Sequence, residues 1–188
     1  MLPKPNDNNP QEKVKQVEFY KHLIREAFSI RDIENKGYIN EKEVSYIMRY
    51  LLQYPSEVQV RDYIIEQLEG DEPSDYIKFE KFEPFMLNAL LTNEYEPNPA
   101  EHLLAAFRVL DPEGKGYIRK DVMEELLTTK GIALRQSEIK DFLAFAVDKS
   151  GQFIFYEDYV ARLIEENERH RDYLIKDYEN FKPPQQNK

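Results

Sequence analysis

A twelve-residue segment, Asp32 to Glu43, constrains the fold of this chain more than any other part of its sequence. Its first, third, ninth and twelfth positions carry oxygen-bearing side chains: Asp32, Glu34, Asn40 and Glu43. This spacing, with glycine sixth, is typical of a loop that wraps a calcium ion between two helices, and the seventh residue, Tyr38, contributes its backbone carbonyl. The fifth position should supply another oxygen, but Lys36 is a cation with no acceptor. The segment therefore predicts a helix, a loop and a helix, with a metal site that Lys36 opposes.

The charge on Lys36 sets how strongly the site is weakened. Two unit charges about 4 Å apart interact by roughly 4 kcal/mol at an effective dielectric of 20, and Ca²⁺ is divalent. Even a small unrelieved part of that repulsion lowers affinity by orders of magnitude. Lysine is long enough to turn into solvent, so we expect weak Ca²⁺ binding at this loop. No cofactor is expected to be required by the fold.

Apolar residues at helical spacing flank the loop on both sides. The residues of these two stripes are Val17, Tyr20, Leu23, Ile24, Ala27 and Phe28 before the loop, and Val44, Ile47, Met48 and Leu51 after it. The same order of helix, loop and helix recurs three more times, which indicates an internal duplication. The later loops lack calcium chemistry. The second runs from Gly70 to Lys81, the third has Lys115 fifth and Val122 twelfth, and the fourth, from Asp148, is one residue short.

The four units are expected to form two pairs. In this arrangement the apolar residue at loop position eight forms a short antiparallel strand contact with its counterpart, so Ile39 should face Ile77 and Ile118 should face Ile154. The sequence thus predicts an all-α protein of two lobes, with four degenerate hands paired by short loop strands and an extended C-terminal helix. The expected divisions are a flexible arm (1–11), a first pair (12–92), a proline-containing linker (93–99), a second pair (100–166), a helix extension (167–181) and a tail (182–188).

The last helix continues past the point where a fourth hand would end. Its apolar face continues through Leu174, Tyr178 and Phe181, and residues 156 to 181 would extend roughly 39 Å at 1.5 Å per residue. The lobe that its inner half completes cannot bury its outer half. We therefore expect the outer half to dock on another protein, or to fray in solvent after Glu168.

Over roughly residues 17 to 165, the helices and loops described above make the chain similar to the calmodulin superfamily. Segments 26–29, 47–49, 106–109 and 117–118 carry the general likeness. Within that superfamily, segments 76–86, 95–99 and 103–111 are most similar to the subunit 8 family of the nexin-dynein regulatory complex. The resemblance implies a structural subunit in the cytoplasm and cytoskeleton, at the axoneme of a cilium or flagellum. It also implies that the partners are other subunits of that complex, bound through helical segments.

Composition argues against several other classes of function. The net charge of -10 disfavours nucleic acid and anionic membranes, and the apolar runs are too short to span a membrane. His22, His102 and His170 lie on separate predicted helices, and no phosphate loop or nucleophile elbow is present, so an enzyme is not expected. Without a working ion switch, each groove should hold a partner helix permanently. The candidate anchors are Phe28, Met48, Leu51, Phe85 and Met86 in the first lobe, Phe107, Met123, Leu126, Phe145 and Leu163 in the second, and Leu174 and Tyr178 beyond it.

Two other functions remain open at this point. A calmodulin-like calcium sensor would use the first loop and would move its helices when the ion binds. A light chain of myosin or dynein type would clamp the helix of a motor, and would differ from the structural subunit only in its partner.

Overall fold

The computed structural model describes residues 9–70 and 74–183. Of these, the residues up to Pro97 and from His170 onward form one compact unit, and Asn98–Arg169 form a second. The first unit contains α1 (Pro10–Ser29), β1 (Tyr38–Asn40), α2 (Val44–Tyr50), β2 (Tyr76–Lys78) and α5 (Phe79–Thr92). Between α2 and β2 lie α3 (Glu57–Gln59), a π-helical stretch (Val60–Ile64) and α4 (Ile65–Leu68). We call this unit the first lobe.

Helix α1 begins at Pro10, two residues before the predicted start of the first pair at residue 12. Asn9 accepts a hydrogen bond from the backbone N–H of Gln11 at 3.1 Å, and Pro10 occupies the first turn, where its missing N–H costs nothing. Residues 10 and 11 of the predicted arm therefore belong to the helix and Asn9 caps it, while residues 1–8 of that arm lie outside the described residues.

The second unit, which we call the second lobe, repeats the order of the first. It contains α6 (Ala100–Leu110), β3 (Tyr117–Arg119), α7 (Lys120–Thr129), α8 (Gln136–Ala146), β4 (Phe153–Phe155) and the first part of α9 (Tyr156–Asn180). The four-hand architecture in two lobes is confirmed.

Both predicted strand contacts are present. Strands β1 and β2 pair antiparallel with Ile39 opposite Ile77, and β3 and β4 pair with Ile118 opposite Ile154. All four isoleucines are buried, because the ribbon that joins the two loops also forms one end of each core. The ribbon therefore places the two loops of a pair side by side in each lobe.

The linker is attached to the first lobe. Asn93 ends α5 in a left-handed conformation, and Pro99 precedes α6. Between them, Tyr95 is buried: its N–H donates to Gln53 Oε1 at 3.2 Å, and its carbonyl accepts from the N–H of Tyr54 at 2.7 Å. The chain is not helical between Thr92 and Ala100, the stretch that holds two prolines, neither of which can continue a helix.

Helix α9 runs without interruption from Tyr156 to Asn180, so the predicted extension is helical, and the fraying expected after Glu168 is absent. Its residues from His170 onward belong to the first lobe. Of the predicted tail, residues 184–188 lie outside the described part of the chain. Within the described ranges, every helix is too short or too polar to cross a lipid bilayer.

Candidate functional site

The side chain of Asp32 holds the turn of the first loop through hydrogen bonds to the backbone. Its Oδ1 accepts from the N–H of Lys36 at 2.8 Å, and its Oδ2 accepts from the N–H of Gly37 at 2.7 Å. Gly37 has a φ of 77°, a left-handed conformation that glycine adopts without a steric penalty. The turn of a calcium loop is therefore retained, and backbone donors hold its first carboxylate.

The other three oxygen-bearing side chains also have partners within the protein. Lys36 Nζ lies 2.5 Å from Glu34 Oε2, and this hydrogen bond is the main cause of the raised pKa of Lys36. Asn40 accepts from the N–H of Lys42 at 3.1 Å and caps the short 3₁₀ turn Glu41–Glu43. The buried Oε2 of Glu43 lies 3.2 Å from Arg31 Nε, an ion pair without hydrogen-bond alignment.

These contacts test whether the first loop fits a calcium ion. An ion would need the oxygens of Asp32, Glu34, Asn40 and Glu43 together, with a bidentate Glu43. Two of the three carboxylates are instead paired with cations, Glu34 with Lys36 and Glu43 with Arg31. Calcium would have to displace both cations, so the donor set does not fit a tight site.

The third loop has the same lysine–glutamate ion pair as the first. Lys115 Nζ lies 2.6 Å from Glu113 Oε2, the pair of positions that Lys36 and Glu34 occupy in the first loop. Burial alone would raise the pKa of Asp111, but the N–H groups of Lys115 and Gly116 and the hydroxyl of Tyr156 donate to it and lower the pKa overall. In both loops a lysine built into the chain stands where a metal ligand would be.

The fourth loop is closed by Asp148. This carboxylate accepts from the N–H groups of Ser150, Gln152 and Phe153 at 3.0 to 3.2 Å and from the Ser150 hydroxyl at 2.9 Å. These donors, the N–H of Phe153 first, lower the pKa of Asp148 to about 2. The last position of this loop, Asp158, is exposed. In the second loop, residues 71–73 lie outside the described part of the chain.

The first-lobe candidate anchors are core residues. Phe28, Met48, Leu51 and Met86 are at most 3% exposed, and Phe85 is half-buried with its ring 6.5 Å from that of Tyr95. These side chains already pack against their own lobe. In this conformation, the surface expected to receive a partner in the first lobe is closed.

The second-lobe candidate anchors are less completely covered. Met123 is buried, Phe107, Leu126 and Leu163 are half-buried, and Phe145 is 37% exposed. Helix α6 has an apolar face, yet it contributes no fully buried side chain. Among the described residues the second-lobe core cluster contains 5 buried residues, against 23 in the first. The second lobe therefore presents apolar surface that its own chain does not fill.

An aromatic cluster borders this half-covered surface. The ring of Tyr159 lies 5.5 to 5.8 Å from those of Phe107, Phe142 and Phe145 in edge-to-face contacts. The guanidinium of Arg162 lies 5.1 Å from the Phe145 ring centre. Phe142 and Tyr159 were not among the predicted anchors, although both lie at helical spacing from residues that were.

The end of α9 packs on the first lobe of its own chain. We call residues His170 to Phe181 the C-terminal segment. Leu174 is fully buried and Tyr178 is 8% exposed, both within the first-lobe core cluster. The expectation that this face needs another protein is therefore wrong, because the first-lobe core of the same chain covers it.

The aromatic rings of the C-terminal segment lie against one face of α1. Phe19 is fully buried, and its ring contacts those of Tyr178 at 5.1 Å and Phe181 at 5.3 Å. Lys15 Nζ lies 4.5 Å from the Tyr178 ring centre. His170 Nε2 lies 2.7 Å from the carbonyl oxygen of Tyr50, the last residue of α2. The sequence stripe omitted Phe19, which is central to this contact.

Two pairs of helix-loop-helix units, each joined by a ribbon between its loops, define a two-lobed EF-hand protein of the calmodulin type. Consistently, residues 73–121 match the family described as an EF-hand domain pair. The myosin II regulatory domain of Physarum polycephalum has a similar fold. That structure is 27% identical, with a TM-score of 0.59 over 75% of this chain and 92% of its own.

Sequence relatives narrow the class to one family. Dynein regulatory complex protein 8 of Mus musculus is 37% identical over 141 residues, which are 75% of this chain and 85% of that protein. Dynein regulatory complex protein 8 of Chlamydomonas reinhardtii is 33% identical over 147 residues, 74% of this chain and 87% of that protein. The chain belongs to the dynein regulatory complex protein 8 family. Its relatives are structural or regulatory proteins, and the chain is not an enzyme.

Proposed function

We propose that this protein is a constitutive subunit of the axonemal dynein regulatory complex, and that its second lobe holds a helical segment of another subunit without a calcium signal. The observation that carries the proposal is the half-covered apolar surface of the second lobe, compared with the filled core of the first. The names of its relatives supply the complex and, through it, the axoneme as the location.

The chemistry of the surface indicates what kind of segment it takes. Half-buried leucines and phenylalanines suit the apolar face of an amphipathic helix, which EF-hand lobes bind in a groove. Residues 98–169 contain 14 Asp and Glu against 10 Lys and Arg, a net charge of -4. A helix with a basic polar face is therefore the expected partner, because opposite charges favour encounter and orientation.

Calcium independence rests on the loops. A sensor lobe opens because the ion gathers its loop oxygens and moves the attached helices. Here Lys36 pairs with Glu34, Arg31 with Glu43, and Lys115 with Glu113, so these carboxylates are neutralised without metal. Weak Ca²⁺ binding at the first loop remains part of the proposal, but we expect it to leave partner binding unchanged.

Substitution at the exposed aromatic of the second lobe tests the proposal. Phe145→Glu places a charge at the surface offered to the partner, and loss of an interface anchor costs at least about 2 kcal/mol, roughly thirtyfold in Kd. Tyr63→Glu is the matched control, because Tyr63 is a 61% exposed aromatic of the first lobe. Each variant would be expressed as the sole copy in ciliated cells, and its amount in purified regulatory complex measured with and without Ca²⁺.

The expected result is loss of the Phe145 variant from the complex, normal incorporation of the Tyr63 variant, and no effect of Ca²⁺ on either. Cross-linking mass spectrometry on the same axonemes should connect residues 100–166 to a helical segment of another subunit. Equal incorporation of both variants, or cross-links confined to the first lobe, would refute second-lobe binding.

A motor light chain is the second candidate, because the fold neighbour that is 27% identical is a myosin II regulatory domain. The same cross-linking experiment separates the two functions. Cross-links to a regulatory-complex subunit support the first proposal, and cross-links to the heavy chain of a motor support the second.

A further inference from the structure

Three potential metal ligands meet where the C-terminal segment contacts α1. His22 and Glu26 are one helical turn apart on α1, and Asp177 faces them from α9. One ligand atom from each lies within 4.8 Å of the other two. We call this group the His22 cluster. It belongs to the first lobe and is separate from all four loops.

The two carboxylates of the cluster have no lysine or arginine partner among the described residues. No lysine or arginine among residues 9–70 and 74–183 forms an ion pair with Glu26 or Asp177, and the basic group beside Glu26 is the imidazole of His22. Arg25, adjacent on α1, pairs with Glu83 instead. Burial raises the pKa of Tyr50, and the negative fields of Glu26 and Asp177 contribute to the increase. A cation bound here would neutralise both carboxylates.

The geometry of the cluster already approaches that of a metal site. His22 Nε2 lies 3.5 Å from Glu26 Oε1. Two ligands on a tetrahedral zinc ion, each bound at about 2.1 Å, are about 3.4 Å apart. The imidazole of His22 is also held in place, because the ring of Phe181 stacks on it at 5.4 Å with a 25° angle between planes. Only Asp177 has to approach, and its half-buried side chain already has a carboxylate oxygen within 4.8 Å of the other two ligand atoms.

We propose that His22, Glu26 and Asp177 bind a divalent transition-metal ion of the zinc class, with water as the remaining ligand. An imidazole nitrogen with two carboxylates favours zinc over calcium and magnesium, which prefer oxygen-only sites. The ion joins α1 to the C-terminal segment and so holds that segment on the first lobe. This site is independent of the proposed partner helix and of the calcium loops.

Zinc titration of the full-length, metal-free protein tests the site. A competition assay with a chromophoric zinc indicator should show one equivalent bound. His22→Gln and Asp177→Asn should each weaken binding by at least the roughly tenfold that loss of even an outer-shell metal partner costs. Glu179→Gln removes the same charge from an exposed position two residues along the same helix, and His102→Gln removes a histidine from the second lobe. Both controls should bind like the wild type.

Hydrogen exchange provides a second readout, because removing a charge does not by itself make amide exchange depend on zinc. Zinc should slow the exchange of backbone amides in residues 170–180 of the wild type and of Glu179→Gln, but not of Asp177→Asn. Metal-free thermal melts identify any variant that fails to fold, and the remaining variant then decides. The proposal is overturned if the wild type binds no zinc, if the His22 and Asp177 variants bind zinc as tightly as the controls, or if zinc leaves exchange in residues 170–180 unchanged.

Discussion

Replacing Leu174 with alanine removes a fully buried side chain that the C-terminal segment inserts into the core of the first lobe. Buried leucine-to-alanine substitutions cost about 2 to 5 kcal/mol, through lost transfer free energy and the cavity that remains. Since single domains are stabilised by only about 5 to 15 kcal/mol, this loss is a large fraction of the total. Leu174 belongs to the first-lobe core, although more than 70 residues separate it from Thr92, the last residue of α5.

Urea unfolding and hydrogen exchange together measure this effect. Leu174→Ala should lower the free energy of unfolding of the first lobe by about 2 kcal/mol or more, and a local loss of 2 kcal/mol speeds amide exchange in residues 170–180 about thirtyfold. Lys176→Ala is the control, because Lys176 is exposed on the same helix and surface substitutions usually stay within about 0.5 kcal/mol. If the Leu174 variant differs from this control by less than about 0.5 kcal/mol, the C-terminal segment does not stabilise the lobe.

Two further predictions concern the loops. Lys36→Asp should create a calcium site measurable by isothermal titration, because it restores a ligand and frees Glu34. Lys115→Asp should not create one, because Val122 cannot supply the twelfth ligand. Equal calcium binding by the two variants would contradict this prediction. The pKa of Asp148 in the folded protein is about 2, below its ordinary value of 3.8. Its charge therefore stabilises the second lobe above about pH 5, and this contribution disappears as the pH falls towards 2. The stability difference between wild type and Asp148→Asn in chemical denaturation should therefore narrow over that pH range, and a constant difference would show that the charge is not responsible.

Local sequence chemistry predicted the loops and their pairing. Ile39 opposite Ile77 follows from the fixed position of the apolar residue in a twelve-residue loop, and it held even in the shorter fourth loop, where Ile154 faces Ile118. The turn at Gly37 follows equally from the need for a positive φ. These features depend on neighbours within one loop or on its partner, and such short-range constraints can be read from spacing.

The surfaces that the helices cover could not be predicted in the same way. Periodicity identified Leu174 and Tyr178 as one apolar face, but a period does not specify what packs against it. Phe19 lies between Val17 and Tyr20 of the α1 stripe without belonging to it, and only the folded chain shows that it faces Tyr178 and Phe181. For the same reason the pairing of His22 with Asp177 was missed, although Glu26, four residues after His22, was a local signal.

The candidate anchors show a further limit of pattern reading. Met48 and Leu51 have the spacing of groove residues, yet they are fully buried in their own lobe, while Phe145 is partly exposed. Apolar residues at the same helical spacing are buried in the first lobe and partly exposed in the second. Which of the two applies depends on the packing of the whole lobe, and this packing differs between the two halves of the chain.

The burial of Leu174 and Tyr178 also bears on synthesis. A ribosome makes the first part of the first lobe before the second lobe, but Leu174 and Tyr178 of the first-lobe core are translated only after the second lobe. Until the C-terminal segment leaves the exit tunnel, Phe19 lacks the rings of Tyr178 and Phe181 that cover it, and the nascent chain exposes apolar surface. A chain that stopped before His170 would therefore have an incomplete core in its first lobe.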